Sequence, residues 1–380
     1  MFQIGDHVSG VSQPKLLESF KRLAIGVRGS GVLVTRQRFY LPQLDGLRFF
    51  AFLAVFYLHF MEHTRRPGGR WVQSSMDAGA FGVDLFFVLS SFLITSLLLR
   101  EKDQRGTVAV RAFWVRRILR IWPLYFAFVA VVGLFESLPR WYWLGLLTFT
   151  VNWSVLKGWY SSVTNPLWSV SIEEQFYLCW PLVLRVLPTR GLPWVCLGMI
   201  GLSVTTRAIL SGFSADPSGN AIQVNTFARL DPIALGALLA WAWSRHPWAS
   251  PGWAPGAALV SAGIVLTGLQ HVWKHPGQEA WTYLGNAMVL TVVVAVSVGR
   301  SNDWLAHPWL VYLGRVSYGL YVFHLAAIGV VMTLSLPWLV RLPLTFGLTL
   351  LAASLSYRFF ESPFLRLKER FTYVSSAPVS

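Results

Sequence analysis

Acidic side chains are scarce in this chain. There are 17 Asp and Glu in 380 residues, and charged residues of both signs reach only 13%. Water-soluble domains carry about a quarter, so a string of two or three soluble domains is excluded as the reading of this length. Cysteine is scarcer still. Cys179 and Cys196 both lie inside apolar runs, which reads as buried free thiols and excludes a disulfide framework. Nothing has zinc-ligand spacing, so no metal site is expected. No internal repeat or low-complexity segment interrupts the chain.

What is present is apolar. Hydrophobic residues make up 54% of the sequence, mean hydropathy is positive, and the apolar residues fall in runs of about 16 to 25, long enough to cross a bilayer as helices. The 19 tryptophans suit interfacial belts. The expected fold is therefore all-α, a polytopic transmembrane helix bundle. Net charge is +15, from 32 Lys and Arg. In a soluble protein that would point to nucleic acid; among membrane spans it reads as retention of basic loops in the cytoplasm, with membrane lipids and no nucleic acid as partners.

Residues 1–43 form a basic N-terminal segment. In "KLLESFKRLAIGVRG", Leu16, Leu17, Phe20, Leu23, Ala24 and Val27 share one helical face, and Lys15, Lys21, Arg22 and Arg28 supply the polar remainder. That pattern predicts an in-plane helix on the cytoplasmic leaflet. No apolar core there ends in a small-residue cleavage site, so a cleaved signal peptide is not expected. "GVRGSGV" is too weak to read as a nucleotide loop.

Hydropathy offers roughly eleven segments, near 47–61, 79–99, 121–138, 141–156, 167–187, 192–212, 229–243, 253–270, 281–299, 309–334 and 337–359. The fourth is short and runs into the polar "KGWYSSVTNP". If it dips in without crossing, about ten spans remain and the charges sort. The N-terminus, the 100–120 loop, Arg185, Arg190, Arg245, Arg300, Arg366, Lys368 and Arg370 then fall inside, while "SGFSADPSGN" and "QHVWKHPGQE" fall outside. The expectation is about ten spans with both termini cytoplasmic, a membrane domain over 44–364 and a basic to polar tail over 365–380.

Charges within hydrocarbon are costly and mark functional candidates. In "LDGLRFFAFLAVFYLHF", ten residues separate Arg48 from His59. Eleven steps of 100° return to within about 20° of the start, so both share a face, about 16 Å apart along the axis. Asp45 lies near that face. One helix thus presents a guanidinium at its mouth and an imidazole deep in the membrane; the plainer alternative for His59 is a packed core histidine. In "GVDLFFVLSSFLITSLLL", Asp84, Ser91 and Thr95 share a face. Asp84 is a candidate to orient His59, or else a helix-end cap at the outer interface.

"VRAFWVRRILRIWPLYF" gathers Arg111, Arg116, Arg117 and Arg120 before a span. Guanidiniums at a membrane mouth suit phosphate, which they grip bidentately; the alternative is charge retention or headgroup contact. In "NPLWSVSIEEQFYLCWPL", the adjacent Glu173 and Glu174 enter an apolar helix behind Ser169 and Ser171. Neighbours diverge by about 100°, so at least one faces the interior, as part of a site or of a structural ion pair. "FARLDPIALGALL" holds Arg229 and Asp231, readable as a local pair shaping the outer opening. "GRVSYGLYVFHLAAI" holds Arg315 and His324, a second membrane imidazole.

Taken together, "LDGLRFFAFLAVFYLH", "GVDLFFVLSSFLI", "RRILRIWPLY", "LWSVSIEEQFY", "FARLDPIALG", "SYGLYVFH" and "RFFESPF" resemble, in order from about 44 to 364, the acyltransferase family 3 of bacterial integral-membrane acyltransferases. The family's Arg-x10-His signature falls on Arg48 and His59. The chain departs from the family at Ser90-Ser91-Phe92, where Ser-Gly-Phe is usual, and lacks the proline common soon after the histidine of "SYGLYVFH". Some relatives append a soluble hydrolase-like domain after the last span. None follows here, so its transfer step is expected to be absent or done by the membrane domain.

The resemblance implies a multi-pass protein of the bacterial cytoplasmic (inner) membrane that moves an acyl group, often acetyl, from acyl-CoA to a hydroxyl of a cell-surface or lipid-linked glycan. A secondary metabolite such as a macrolide is the alternative acceptor, and a proton-coupled transporter or flippase the alternative of another class. On this reading His59, Asp84, Glu173 and Glu174 are catalytic candidates. Arg48, Arg116, Arg117, Arg120 and Tyr125 would bind acetyl-CoA as donor, and Asp45, Ser171, Arg229, Asp231 and His324 the acceptor. His59 is the expected base, with a carboxylate or a covalent acyl-histidine as the open mechanistic choices.

Overall fold

Without water to pair with, backbone polar groups inside a bilayer must bond within their own segment, and the apolar runs accordingly form helices. A computed structural model of the chain describes residues 39–64, 79–213, 220–247, 279–299 and 304–372. The N-terminal amphipathic helix, the expected span near 253–270, Arg300 and the end of the tail lie outside the described residues. Within them every regular element is helical.

The principal helices are α1 (Pro42–Thr64), α2 (Gly82–Arg105), α3 (Val110–Val132), α4 (Arg140–Leu147), α5 (Val151–Leu156), α6 (Leu167–Val186), α7 (Leu192–Phe213), α8 (Leu230–Arg245), α9 (Glu279–Gly299), α10 (Pro308–Arg315), α11 (Ser317–Met332), α12 (Trp338–Leu355) and α13 (Ser362–Glu369). A six-residue π-helical turn, Ser356–Glu361, joins the last two. Among the described residues, five stretches are long and apolar enough to cross a membrane: Pro42–Thr64, Gly82–Arg105, Thr189–Ser211, Trp281–Val298 and Trp338–Glu369. A sixth is reached if α10 and α11, bent by 67°, count as one. Helices α3 and α6 are of comparable length, 23 and 20 residues, but carry Arg116, Arg117 and Arg120 in one and Glu173, Glu174 and Gln175 in the other.

The short fourth segment is divided. Helices α4 and α5 have eight and six residues, about 12 and 9 Å, well short of the roughly 30 Å of hydrocarbon. They meet at Phe149, whose φ of 55° is the only positive value at a non-glycine residue among the described residues. Its carbonyl accepts a hydrogen bond from Gln175 Nε2 at 2.9 Å, and its ring packs on Tyr125 at 4.6 Å.

Helix α1 packs on α2, α10 and α11, and α2 packs most extensively on α8. Close approaches require small residues. A Cβ on Gly314 would overlap the Asp45 carbonyl, and one on Gly236 would overlap Ser91 Oγ and the Val88 carbonyl. The serine that departs from the family pattern therefore sits at a close approach of α2 and α8, with glycine supplied by the partner helix. Leu178, Leu182, Val186, Trp194 and Leu197 are exposed on the outer faces of α6 and α7, as expected of surfaces whose solvent is lipid.

Candidate functional site

A cavity of about 350 Å³ opens at the N-terminal end of α1. Arg48 of α1, Arg117 and Arg120 of α3, Arg315 at the end of α10 and Lys368 of α13 line it, with Asp45, Glu173 and Glu369 as the carboxylates. Five cations against three carboxylates leave a positive excess. Arg315 reaches this place because α10 ends there: Val316 leaves helical geometry at φ −86°, ψ 0°, and the 67° bend sets off α11 in a new direction.

Several of these groups are oriented by neighbours. Asp45 Oδ1 lies 3.1 Å from Arg48 Nη1, and Tyr40 donates to Asp45 Oδ2 at 2.8 Å. Burial first, then the Asp45 charge, push the Tyr40 phenol up to about 12, so it stays a neutral donor across the physiological range. Arg117 stacks against Phe113 and Tyr177, each 5.6 Å from ring centroid to guanidinium carbon. Arg120 Nη2 donates to the Arg315 carbonyl at 3.1 Å. Arg117 Nε, Arg315 Nε and Glu173 Oε1 are buried without a hydrogen-bond partner.

His59 lies farther along α1. Its Nδ1 is 2.9 Å from Nε2 of the fully buried His324 on α11, and the rings stack at 5.0 Å and 30°. The cavity stops short of this pair. Tyr321 is its inner wall; its hydroxyl bonds Ser169 Oγ at 2.7 Å, and its ring centroid is 5.6 Å from that of His324.

The structure thus gathers Asp45, Arg48, Arg117, Arg120 and Glu173 around one cavity and sets His59 against His324 one residue layer deeper. Other candidates fall elsewhere. Arg116, about 100° round the helix from Arg117, turns to Glu101 at 3.3 Å and to the Phe371 carbonyl at 2.7 Å. Tyr125 donates to the Leu146 carbonyl at 3.0 Å and so anchors α4. Ser171 bonds its own helix at the Leu167 carbonyl. Glu174 accepts from Trp122 Nε1 at 2.8 Å.

Asp84 is not the orienter of His59: Arg229 Nη2 lies 2.6 Å from its Oδ1, with both side chains 2% exposed. Nor do Arg229 and Asp231 pair with each other. Asp231 is held by Arg207 at 2.8 and 3.1 Å, with neither side chain exposed, and Ser203 donates to it as well. The exchange follows from helix adjacency, since α8 lies between α2 and α7: Arg229, in the short 3₁₀ turn that leads into α8, turns to α2, and Asp231, in the first turn of α8, turns to α7. These four charges cross-link α2, α7 and α8 and do not line the cavity.

Arg207 belongs to no motif, and its signal is only a guanidinium within the apolar run 192–212; Lys368, expected only to retain charge inside, and Arg315, given no role by its motif, both line the cavity. Tyr40, Tyr318, Tyr321 and Tyr357 also line the cavity; no spacing rule singles them out among 12 tyrosines.

Comparison with known proteins is consistent across the bundle. A family model described as an acyltransferase domain, Acyl_transf_3, matches residues 41–358, and the chain belongs to this family. It is similar to a Staphylococcus aureus (strain COL) protein named "Putative O-acetyltransferase", 30% identical over 358 residues covering 86% of this chain and 57% of the relative. It is also similar to O-acetyltransferase OatA of Staphylococcus aureus (strain NCTC 8325), 29% identical over 368 residues covering 85% of this chain and 57% of that protein. The chain therefore spans little more than half the length of the curated relatives it matches. No solved structure matches. What the comparisons show is an acyltransferase-family domain, on a chain whose described residues include several helices apolar and long enough to cross a membrane. No group of His, Cys, Asp and Glu suited to a metal ion occurs among the described residues.

Proposed function

We propose that this chain moves an acyl group, acetyl in the simplest case, from acyl-CoA to a hydroxyl of a cell-surface or lipid-linked glycan. The observation that carries the reading is the cationic cavity at one end of α1 and the histidine, on the same continuous helix, about 16 Å farther along. CoA is an anionic nucleotide with a long flexible arm. Arg48, Arg117, Arg120, Arg315 and Lys368 would grip its phosphates, and the arm would run past Ser169 and Tyr321 toward His59. Orientation follows the charges: the cavity faces the cytoplasm, where acyl-CoA is made, and α3, α6 and α8 also cross, with Arg111, Arg185 and Arg245 exposed at their ends.

A sugar hydroxyl is a poor nucleophile at neutral pH. His59 would take its proton as the oxygen attacks the thioester carbonyl. The C–S bond then breaks and the CoA thiolate recovers a proton from the imidazolium. Glu173, the one carboxylate candidate from α6 on the cavity wall, lies with the donor and away from the imidazole. We favour direct transfer in a ternary complex; an acyl-histidine relay is the competing sequence, and radiolabelled acyl-enzyme trapped without acceptor and lost in His59→Ala would establish it.

Membranes containing the protein should release free CoA thiol from acetyl-CoA only when acceptor is present. His59→Ala should lower that rate by about 10²- to 10⁴-fold; an unchanged rate would overturn the assignment. Mass spectrometry of surface glycans from cells with and without the gene separates acceptors: lost acetyl esters support a glycan, and intact esters with an unacetylated secreted metabolite support the smaller acceptor.

A further inference from the structure

The tautomer of His59 follows from its partners. His324 Nδ1 lies 2.6 Å from the Tyr321 carbonyl oxygen. A carbonyl only accepts, so Nδ1 of His324 carries the hydrogen and donates it. In a neutral imidazole the other ring nitrogen is then a lone pair, and it is this Nε2 that faces His59 Nδ1 at 2.9 Å. His59 must supply the hydrogen of that bond, which leaves its own Nε2 unprotonated. That nitrogen makes no hydrogen bond among the described residues, yet it is not among the buried polar atoms left without a partner. It is therefore open to an incoming group. Neither ring has a carboxylate hydrogen-bond partner among the described residues.

We infer that His324 is a positioning residue. It holds His59 in the Nδ1–H tautomer, with the basic Nε2 presented to the acceptor hydroxyl. The inference rests on His59 being the base of acyl transfer. When Nε2 takes the hydroxyl proton, the His59 Nδ1–H to His324 Nε2 bond becomes charge-assisted and shorter, so a second imidazole, braced by a backbone carbonyl, does what a carboxylate does in other base dyads. His324 neither gains nor loses a proton over the cycle, and the proton that His59 accepts leaves with the CoA thiol. The packing suits a fixed partner: His324 is fully buried, Phe52 meets it edge-on at 6.1 Å, and Tyr321 flanks it at 5.6 Å.

The test uses the full chain in proteoliposomes, with acetyl-CoA and the acceptor that supports turnover in membranes. His324→Leu removes the acceptor nitrogen and should lower kcat about 10- to 100-fold with KM for acetyl-CoA unchanged. His324→Gln, whose amide oxygen can accept the same hydrogen bond, should recover most of that loss. Wild-type kcat in His324→Leu, or equal loss in both variants at equal folded yield, would overturn the inference. His59→Ala run alongside separates the two claims: an active His59→Ala defeats the acyl-transfer reading itself, whereas an inactive one beside a fully active His324→Leu defeats only the role of His324. Diethyl pyrocarbonate labelling of the unmutated protein needs no variant to fold. Modification at His59 and not at His324 is expected, and the reverse pattern would overturn the assignment.

Discussion

Arg117 is held by rings where an ion pair would be the commoner arrangement. Its guanidinium lies between Phe113 and Tyr177, with Nε buried and unpaired. A planar cation kept in place by stacking still has donors to offer an anion, and a lysine ammonium can neither stack nor bind in a fork. Arg117→Lys should therefore raise KM for acetyl-CoA about 10-fold, equivalent to roughly 1.4 kcal/mol, with less effect on kcat. Steady-state thiol release would show it, and an unchanged KM would place the phosphates elsewhere. The residue scale is also where the sequence was partly legible. Arg48 and His59 share one helix, and 100° per residue suffices to align them. The partner of His59 was not legible, because His324 lies 265 positions away and no local period connects the two.

At the scale of elements, the seam between α2 and α8 depends on a missing side chain. Gly236 lies against Ser91 Oγ and the Val88 carbonyl, one of them backbone that cannot swing aside. Gly236→Ala should destabilise the bundle by about 1–3 kcal/mol through overpacking, seen as a lower thermal transition of the detergent-solubilised protein. A variant that melts like the parent would show that the seam can spread. Helix α8 is also tied on both sides by charge, to Asp84 of α2 and Arg207 of α7. Breaking one partner of a buried pair leaves an uncompensated charge, so Arg207→Met should cost about 3–5 kcal/mol, while Arg207→Met with Asp231→Leu should recover most of it. The same melting experiment reads that recovery. Turnover of the double variant separates this cross-link from an acceptor-binding role: a purely structural pair leaves turnover restored along with stability, whereas acceptor binding leaves it lowered. Reading Arg229 with Asp231 as a pair was natural from sequence, since they stand two apart. Arg229, however, stands at the cap of α8 with non-helical backbone angles, φ −118° and ψ 20°, while Asp231 lies in the first helical turn, and each found a partner on a different neighbour.

At the scale of the whole molecule, the cavity and the broken α4–α5 segment belong to opposite ends of the bundle on the proposed topology. Single cysteines, placed in a background lacking Cys179 and Cys196, test this. A cysteine at exposed Arg366 should resist membrane-impermeant maleimide in intact cells and react in inverted vesicles. One at exposed Lys157 should do the reverse. The opposite pattern would put the cationic cavity outside, away from acyl-CoA, and overturn the proposed route. Several walls of that cavity come from distant parts of the chain: Arg48, Arg117, Glu173, Arg315 and Lys368 reach it from five helices.

The sequence by itself determined that this chain is helical and apolar enough for a membrane, that its fourth apolar segment is short, and that a guanidinium and an imidazole line one face of α1. Each of these follows from chain-local physics: the length of apolar runs, the need to satisfy backbone groups without water, and the helical period. Only the tertiary structure decided which charge meets which. Asp84 went to Arg229, Asp231 to Arg207, Arg116 to Glu101 and His59 to His324. Those pairings depend on which helices lie side by side and how closely glycine lets them approach, and contacts between residues far apart in the chain carry no period that a single sequence can display.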